Sequence, residues 1–245
     1  TLDSKSPLHS QLEGWNRPTL VIAWEGAAPR SIASLALPPA ESVRRLEPSS
    51  IRAAGTVGDQ AYALPILLDH FEVAYNRRSF GTAGKAKPTT LPELIAAGKA
   101  VKSPSVWPML CAGANDDDLV LLVGSLTEAL FGETAWDGVA HAMATDMPFQ
   151  EIVTSTALGK TLNELAQWRG DGLLHPEWFR MRAPDVAAFM ANGNVGIVFM
   201  TLREHRAIPL RVIESYESIP MPPALPGQSR ALTVPVIEGI VLTKS

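Results

Sequence analysis

The sequence predicts an α/β fold, and three observations carry that expectation. Short apolar runs of strand length recur along the chain, at 20–24, 61–75, 195–200 and 234–242. Between them lie segments bounded by helix-start and helix-stop residues. The two kinds alternate, the pattern of sheets flanked by helices. At 245 residues, 46% apolar and 19% charged, the chain can bury one large α/β core or two small ones.

Residues 1–16 are polar and irregular apart from Leu12 and Trp15. Behind Pro18, the run Leu-Val-Ile-Ala-Trp at 20–24 reads as a buried strand that ends at Glu25-Gly26-Ala27-Ala28-Pro29. Residues 31–37 resemble a short helix, and a polar stretch follows through Asp59. AYALPILLDHFEVAYNRR, at 61–78, reads as strand, yet it holds one carboxylate, Asp69, and one histidine, His70, in its middle. A capped helix is predicted over 89–97, with a threonine N-cap, Pro92 in the first turn and Glu93 at the third position. Asn115 opens another, whose Asp116, Asp117 and Asp118 suit the positive end of a helix dipole. A third covers 161–169 and stops at Gly170 and Gly172. A fourth, 184–191, ends at Asn192-Gly193-Asn194. The strand 195–200 follows at once. Pro220, Pro222, Pro223 and Pro226 mark an irregular connection, and 234–242 is a final strand.

Composition and motifs exclude several functions. A net charge of −4 and a pI near 5.7 argue against nucleic acid as a partner, which needs a basic face. Arg44-Arg45 and Arg77-Arg78 are only pairs and read as solvated surface charge. Cys111 is the lone cysteine, so no internal disulfide forms. No apolar run reaches the roughly 18 residues that span a bilayer, and 119–130 is broken by Gly124, Ser125, Thr127 and Glu128. The chain opens at Thr1 without a signal-like segment, so any export signal is expected to have been removed or to lie outside it.

Three consecutive acids on a helix point in different directions, so Asp116–Asp118 read as a cap rather than a metal site. His9, His70, His141, His175 and His205 show no zinc spacing. No metal, cofactor or catalytic residue is expected. The nucleophile elbow, the P-loop and a dinucleotide fingerprint are all missing, since Gly193-Asn-Val-Gly196 turns from helix to strand, the reverse order. Asp69 with Glu25 or Glu238 leaves open a carboxylate pair of the kind that cleaves glycosides. Trp24, closing a strand, and Trp107, read as sitting just before an apolar helix, stand where aromatics line α/β crevices. Trp136, Trp168 and Trp178 read as packing residues.

The segments, in their order, resemble the extracellular solute-binding proteins of ABC transporters, and within them the sugar-binding family typified by maltose-binding protein. AYALPILLDHFEVAYNRRSF is similar to the family's lobe-crossing segment: an aromatic, a proline, a run to an acid, then a strand ending in Tyr-Asn and a basic residue. PTTLPELIAAGKA resembles its next helix, VWPMLCAGAN its aromatic-Trp-Pro helix start, and ALGKTLNELAQWRGDGLLHP its helix before a glycine and an apolar pair. DVAAFMANGNVGIVFM follows its Ala-Phe-x-x-Gly-x-x-Ala-Met pattern, while YESIPMPPALPGQ and VIEGIVLTKS resemble its proline-bearing and returning strands.

The resemblance implies a two-lobe, type II periplasmic-binding-protein-like fold, with hinge strands near 69–75 and 235–241 and a ligand cleft between the lobes. Residues 1–73 would supply part of the first lobe, 74–233 the second, and 234–245 the return. The implied ligand is a sugar or sugar derivative. Asp69 would accept its hydroxyls, Trp107 and Trp24 would stack on it, and Glu25 and Glu238 would face the cleft. Where the family has a stacking tryptophan this chain has Arg203, which makes an anionic or phosphorylated sugar a candidate. Family members are longer, so the chain is expected to be incomplete at both ends. The resemblance further implies no enzymatic activity, a monomer serving ABC membrane subunits, and a periplasmic or extracellular site, lipid-anchored through a removed N-terminal segment.

Overall fold

The computed structural model describes residues 12, 20–24, 32–45, 55–57, 60–132, 134–143, 147–228 and 236–242. The chain divides into two compact units, Thr1–Asp69 with Val234–Ser245, and His70–Thr233.

In the first unit, β1 (Leu20–Trp24) and β4 (Leu64–Leu68) each pair antiparallel with β9 (Val236–Val241), giving the order β1-β9-β4. Leu20 stands opposite Val241, and Ile22 and Leu64 both stand opposite Gly239. A Cβ at Gly239 would come within 3.3 Å of the Ile66 side chain, so the glycine lets the central strand lie close beneath it. The register slips between Pro65 and Leu67, where proline withholds an N–H from the ladder. A small hairpin, β2 (Thr56–Val57) with β3 (Gln60–Ala61), and one helical turn, α1 (Glu41–Arg44), complete the regular elements described here.

One face of the three-stranded sheet packs a core of Leu12, Val21, Ile32, Tyr62, Ile240 and Leu242. The expected helix over 31–37 is only a 3-10 turn, Ala33–Leu35, because Pro38 and Pro39 follow it and block helical continuation.

The acid inside the long apolar run now has an explanation. Residues 64–76 form two strands in two different sheets, and the chain passes from one unit to the other between Asp69 and His70. In the second unit, β5 (Phe71–Asn76), β6 (Trp107–Cys111), β7 (Val195–Thr201) and β8 (Tyr216–Ile219) form a sheet of order β6-β7-β5-β8. β6 runs parallel to β7, while β5 is antiparallel to β7 and β8. Every residue of β5 and β7 is buried, which is why both read as near-continuous apolar runs.

Helices surround this sheet. Asn76 caps α2 (Arg77–Thr82) by accepting the Ser79 N–H at 3.0 Å. α3 (Leu91–Val101) begins with the expected threonine cap, Thr90, which forms a capping box with Glu93. Asn115 caps α4 (Asp116–Phe131). Then come α5 (Ala135–Met143), α6 (Phe149–Ser155), α7 (Leu158–Gly170), α8 (Ala183–Ala191), α9 (Leu202–Ala207) and α10 (Leu210–Ile213). The hydroxyls of Thr127 and Thr161 join α4 to α7 at 2.8 Å.

One segment departs from expectation. VWPMLCAGAN, read as a helix start, contains the strand β6, and the helix begins only at Asp116. β6 is the edge strand of its sheet, a place where a proline such as Pro108 is tolerated.

Candidate functional site

In open α/β sheets, ligand-binding groups collect beyond the C-terminal ends of parallel strands. In the second unit that edge is fixed by register. Cys111 pairs with Phe199 as β6 and β7 end, and Phe71 opens β5 opposite Thr201. Three structures meet there: the first turn of α4, the first turn of α9, and the start of β5.

At α4, the Asn115 amide donates to Asp118 Oδ2 at 2.9 Å. Asp118 is 1% exposed. Its burial, then the Glu204 carboxylate beside it, push its pKa up to about 7, against smaller opposite pulls from the Asn115 hydrogen bond and then from Arg203. The Cys111 thiol beneath is also pushed well up, chiefly by burial and then by Asp118 and Glu204. At α9, Thr201 and Glu204 form a capping box, with the Thr201 N–H donating to Glu204 Oε2 at 3.1 Å and the Glu204 N–H to Thr201 Oγ1 at 3.2 Å. Glu204 is thereby held in place, and the exposed Arg203 projects from the same turn.

At β5, Glu72 is 2% exposed and accepts from three partners. The His205 Nδ1 lies against it, the Ser218 hydroxyl donates at 2.8 Å, and His70 Nε2 stands at 2.9 Å. Burial pushes the Glu72 carboxyl up, but the bonds from His205, Ser218 and His70 outweigh it and leave it below its ordinary range. Ser218 and Glu72 converge on the same ring nitrogen, while His205 Nε2 is buried without a hydrogen-bond partner. A nucleophile–base relay needs the two ring nitrogens to serve different partners. The cluster is therefore a structural network that ties the entering strand to α9 and β8.

The sequence-derived candidates are not all brought to this edge. Arg203 stands on it. Asp69 is buried and lies immediately before His70, at the close of the first unit. Trp107 opens β6 opposite Val195, at the other end of the parallel pair, where its ring meets His175 edge-on at 4.5 Å. Four residue steps, roughly 13 Å of strand, separate it from the edge. It departs from expectation because the segment begins a strand rather than closing one. Trp24 ends β1 opposite Ile237, and Glu238 pairs in register with Ala23 and Pro65; the side chains of both lie outside the described residues, as does all of Glu25. The postulated carboxylate pair of Asp69 with Glu25 or Glu238 thus also falls outside them.

Sequence reasoning passed over Glu72 and Ser218, weighed His205 only as a zinc ligand, and took Asp118 only as part of a cap. Glu72 and His205 are 133 residues apart, so no local spacing joins them. The one available signal was a glutamate at the second position of an otherwise apolar strand. Among the described residues, no group of three or more His, Cys, Asp or Glu side chains could hold a metal ion. No helix among them is long and apolar enough to cross a membrane.

The chain matches no family profile and no curated protein. Solved structures do share its fold, which is that of the two-lobe solute-binding proteins. A chitin oligosaccharide binding protein matches with a TM-score of 0.76 at 19% identity, over 97% of this chain and 60% of its own. A probable secreted solute-binding lipoprotein from Streptomyces coelicolor matches with a TM-score of 0.71 at 15% identity, over 97% and 60%. A sugar transporter protein from Bacillus licheniformis, solved with stachyose, gives 0.71 at 16% identity, over 99% and 64%. The chain thus spans about three fifths of the length of the structures it matches.

Proposed function

We propose that this chain belongs to the substrate-binding receptor of an ABC importer, and that it captures a sugar or sugar derivative for delivery to the membrane subunits. One observation carries the reading: nearly the whole chain shares its fold with a chitin oligosaccharide binding protein and with a sugar transporter protein solved with stachyose. Such a receptor performs no reaction on its ligand. It works outside the cytoplasm as a monomer held near the membrane by a lipid anchor, a reading supported by likeness to a secreted lipoprotein.

Recognition follows from the chemistry of the candidate residues. Asp69 offers two acceptor oxygens to paired hydroxyls, and Trp24 an aromatic face, with Glu25 and Glu238 as further acceptors. Arg203 offers a donor fork to a polar edge. Glu204 stands on the same turn, and Asp116 and Asp117 open the neighbouring helix at that edge, so a neutral polyhydroxylated ligand suits it better than an anionic one.

The test is a thermal-shift screen against neutral sugars, amino sugars, sugar phosphates and small carboxylates. A ligand at a hundred times its dissociation constant stabilises by about 2.7 kcal/mol. A neutral sugar is expected to raise the melting temperature. The shift should be lost in Asp69→Asn, reduced in Arg203→Ala and retained in Trp107→Ala. A shift with small carboxylates alone would overturn the sugar, and no shift with any sugar would overturn the reading.

A further inference from the structure

At the opposite pole of the second unit, where β5 ends and β7 begins, two depressions of about 530 and 400 Å³ adjoin. They share a wall formed by Asn76, Arg78, Asn192 and Gly193. Lys102 lines the first depression and Arg211 the second, and neither is lined by any carboxylate. Arg78, Lys102 and Arg211 are exposed, and among the described residues none of them has an ion pair or hydrogen bond. Of the nearby acids, Glu217 is engaged by Lys87 at 2.9 Å, and the backbone carbonyl of Glu214 receives the Arg77 guanidinium.

Helix-end electrostatics account for Lys102 and for Arg211 but not for Arg78. Lys102 follows the last turn of α3, where a cation complements the unpaired carbonyls. Arg78 lies in the first turn of α2, whereas α10 is a single four-residue turn in which Arg211 also accompanies the last carbonyls. A cation at the start of α2 opposes the helix dipole, so local helix energetics do not put Arg78 there. The chain as a whole carries a charge of −4, and a carboxylate-free concavity with three unpaired cations stands out against that background.

We propose that this pole binds a phosphate group, gripped between the Arg78 and Arg211 guanidinium forks. Arginine matches the planar, bidentate geometry of phosphate oxygens, and the depressions are of a size that holds a small ligand. The group comes either from a soluble phosphate or from the headgroup of an anionic phospholipid. This site is separate from the proposed sugar edge, which lies at the far end of β7, roughly 20 Å of strand away.

Calorimetric titration with pyrophosphate and co-sedimentation with phosphatidylglycerol vesicles, each at low and moderate salt, separate the two sources. Binding is expected to be single-site and to weaken as salt rises. It should fall at least tenfold in the double variant Arg78→Ala, Arg211→Ala, and partly in Arg78→Lys, which keeps charge but loses the fork. The control Arg44→Ala, Arg45→Ala removes equal charge elsewhere and should bind normally. Pyrophosphate binding with this pattern supports the soluble source, and vesicle binding alone with this pattern supports the lipid. Failure of both probes to bind, or binding unchanged in the Arg78, Arg211 double variant, overturns the proposal. The sugar-induced thermal shift reports on the other site and should be unchanged in that double variant.

Discussion

In the second unit, β5 and β7 run through the middle of a four-stranded sheet and every residue of both is buried, whereas among the described residues the three-stranded sheet of the first unit buries only one face. Its other face carries Leu20 at 52% exposure, Ile22 at 61%, Ile66 at 52% and Val241 at 40%. Leu20 and Val241 are directly opposed across the ladder, and Ile66 lies over Gly239, so these side chains are neighbours rather than scattered. The same kind of sequence therefore produces two different burial outcomes. Leu-Val-Ile-Ala-Trp in β1 is as apolar as Val-Gly-Ile-Val-Phe-Met in β7. Only the second has helices packed against it among the described residues. An apolar run reports a preference for burial, and the neighbouring layers decide whether it is met.

The comparison is most sharply tested in the core of the second unit. Phe199 on β7 is fully buried and stacks against Trp168, with ring centroids 6.1 Å apart. Phe199→Ala removes a large side chain from a closely packed site, and is expected to cost about 3–5 kcal/mol. Urea unfolding followed by tryptophan fluorescence measures it, since Trp107, Trp136, Trp168 and Trp178 all report on this unit. Should the cost come out below about 1 kcal/mol, β7 is not the closed centre of a packed layer and the contrast between the two sheets is lost.

How much of this was legible in the sequence follows the same division. Elements with local chemistry were readable: the threonine cap of α3, the Asn115 cap, the glycine stops after α7 and α8, and the buried strand β7. Their signals lie within a few residues of each other. The junction at Asp69 was legible only as an anomaly, an acid where an apolar strand continued. Only the structure shows that 64–76 is two strands in two sheets. β6 was misread because Trp-Pro suggested a helix entry, and nothing local reveals that the strand sits at a sheet edge that tolerates proline. The polar groups at the strand ends were least legible. Glu72, His205 and Ser218 meet across 133 and 146 residues, and Asp118 becomes unusual only through burial beside Glu204.

A second test concerns that burial. Asp118 has its pKa raised to about 7, from an ordinary value near 3.9 in the unfolded chain. A raised carboxyl contributes stability that is fully present below the unfolded value and is lost as pH climbs through the folded one. Between about pH 4 and 7 the folded protein holds a proton that the unfolded chain has released. Glu72 acts in the opposite sense: its lowered pKa contributes stability above its ordinary value, which is lost as pH falls through the folded one. Asp118→Asn removes the first contribution and leaves the second. The variant should match the parent near pH 4 and exceed it by about 2 kcal/mol above pH 7, as read from chemical denaturation across pH. Equal pH profiles for the two proteins would mean that Asp118 is solvated and ionised, and that the edge of the second unit is open where it is drawn closed.

The smallest expected effect lies on the exposed face of the first unit. Ile22 is the most open of its four apolar side chains, and it stands opposite Gly239, which offers no Cβ to pack against. A surface position that buries little apolar area has little to lose on becoming polar, and threonine keeps the β-branched preference for a strand. Ile22→Thr is therefore expected to change stability by no more than about 0.5 kcal/mol while reducing the binding of a hydrophobic dye, because it breaks a contiguous apolar patch. A loss above about 1.5 kcal/mol would show that Ile22 is covered in solution, since that is the scale of burying an isoleucine side chain. Both sheets would then be buried on two faces, and the contrast in their covering would disappear.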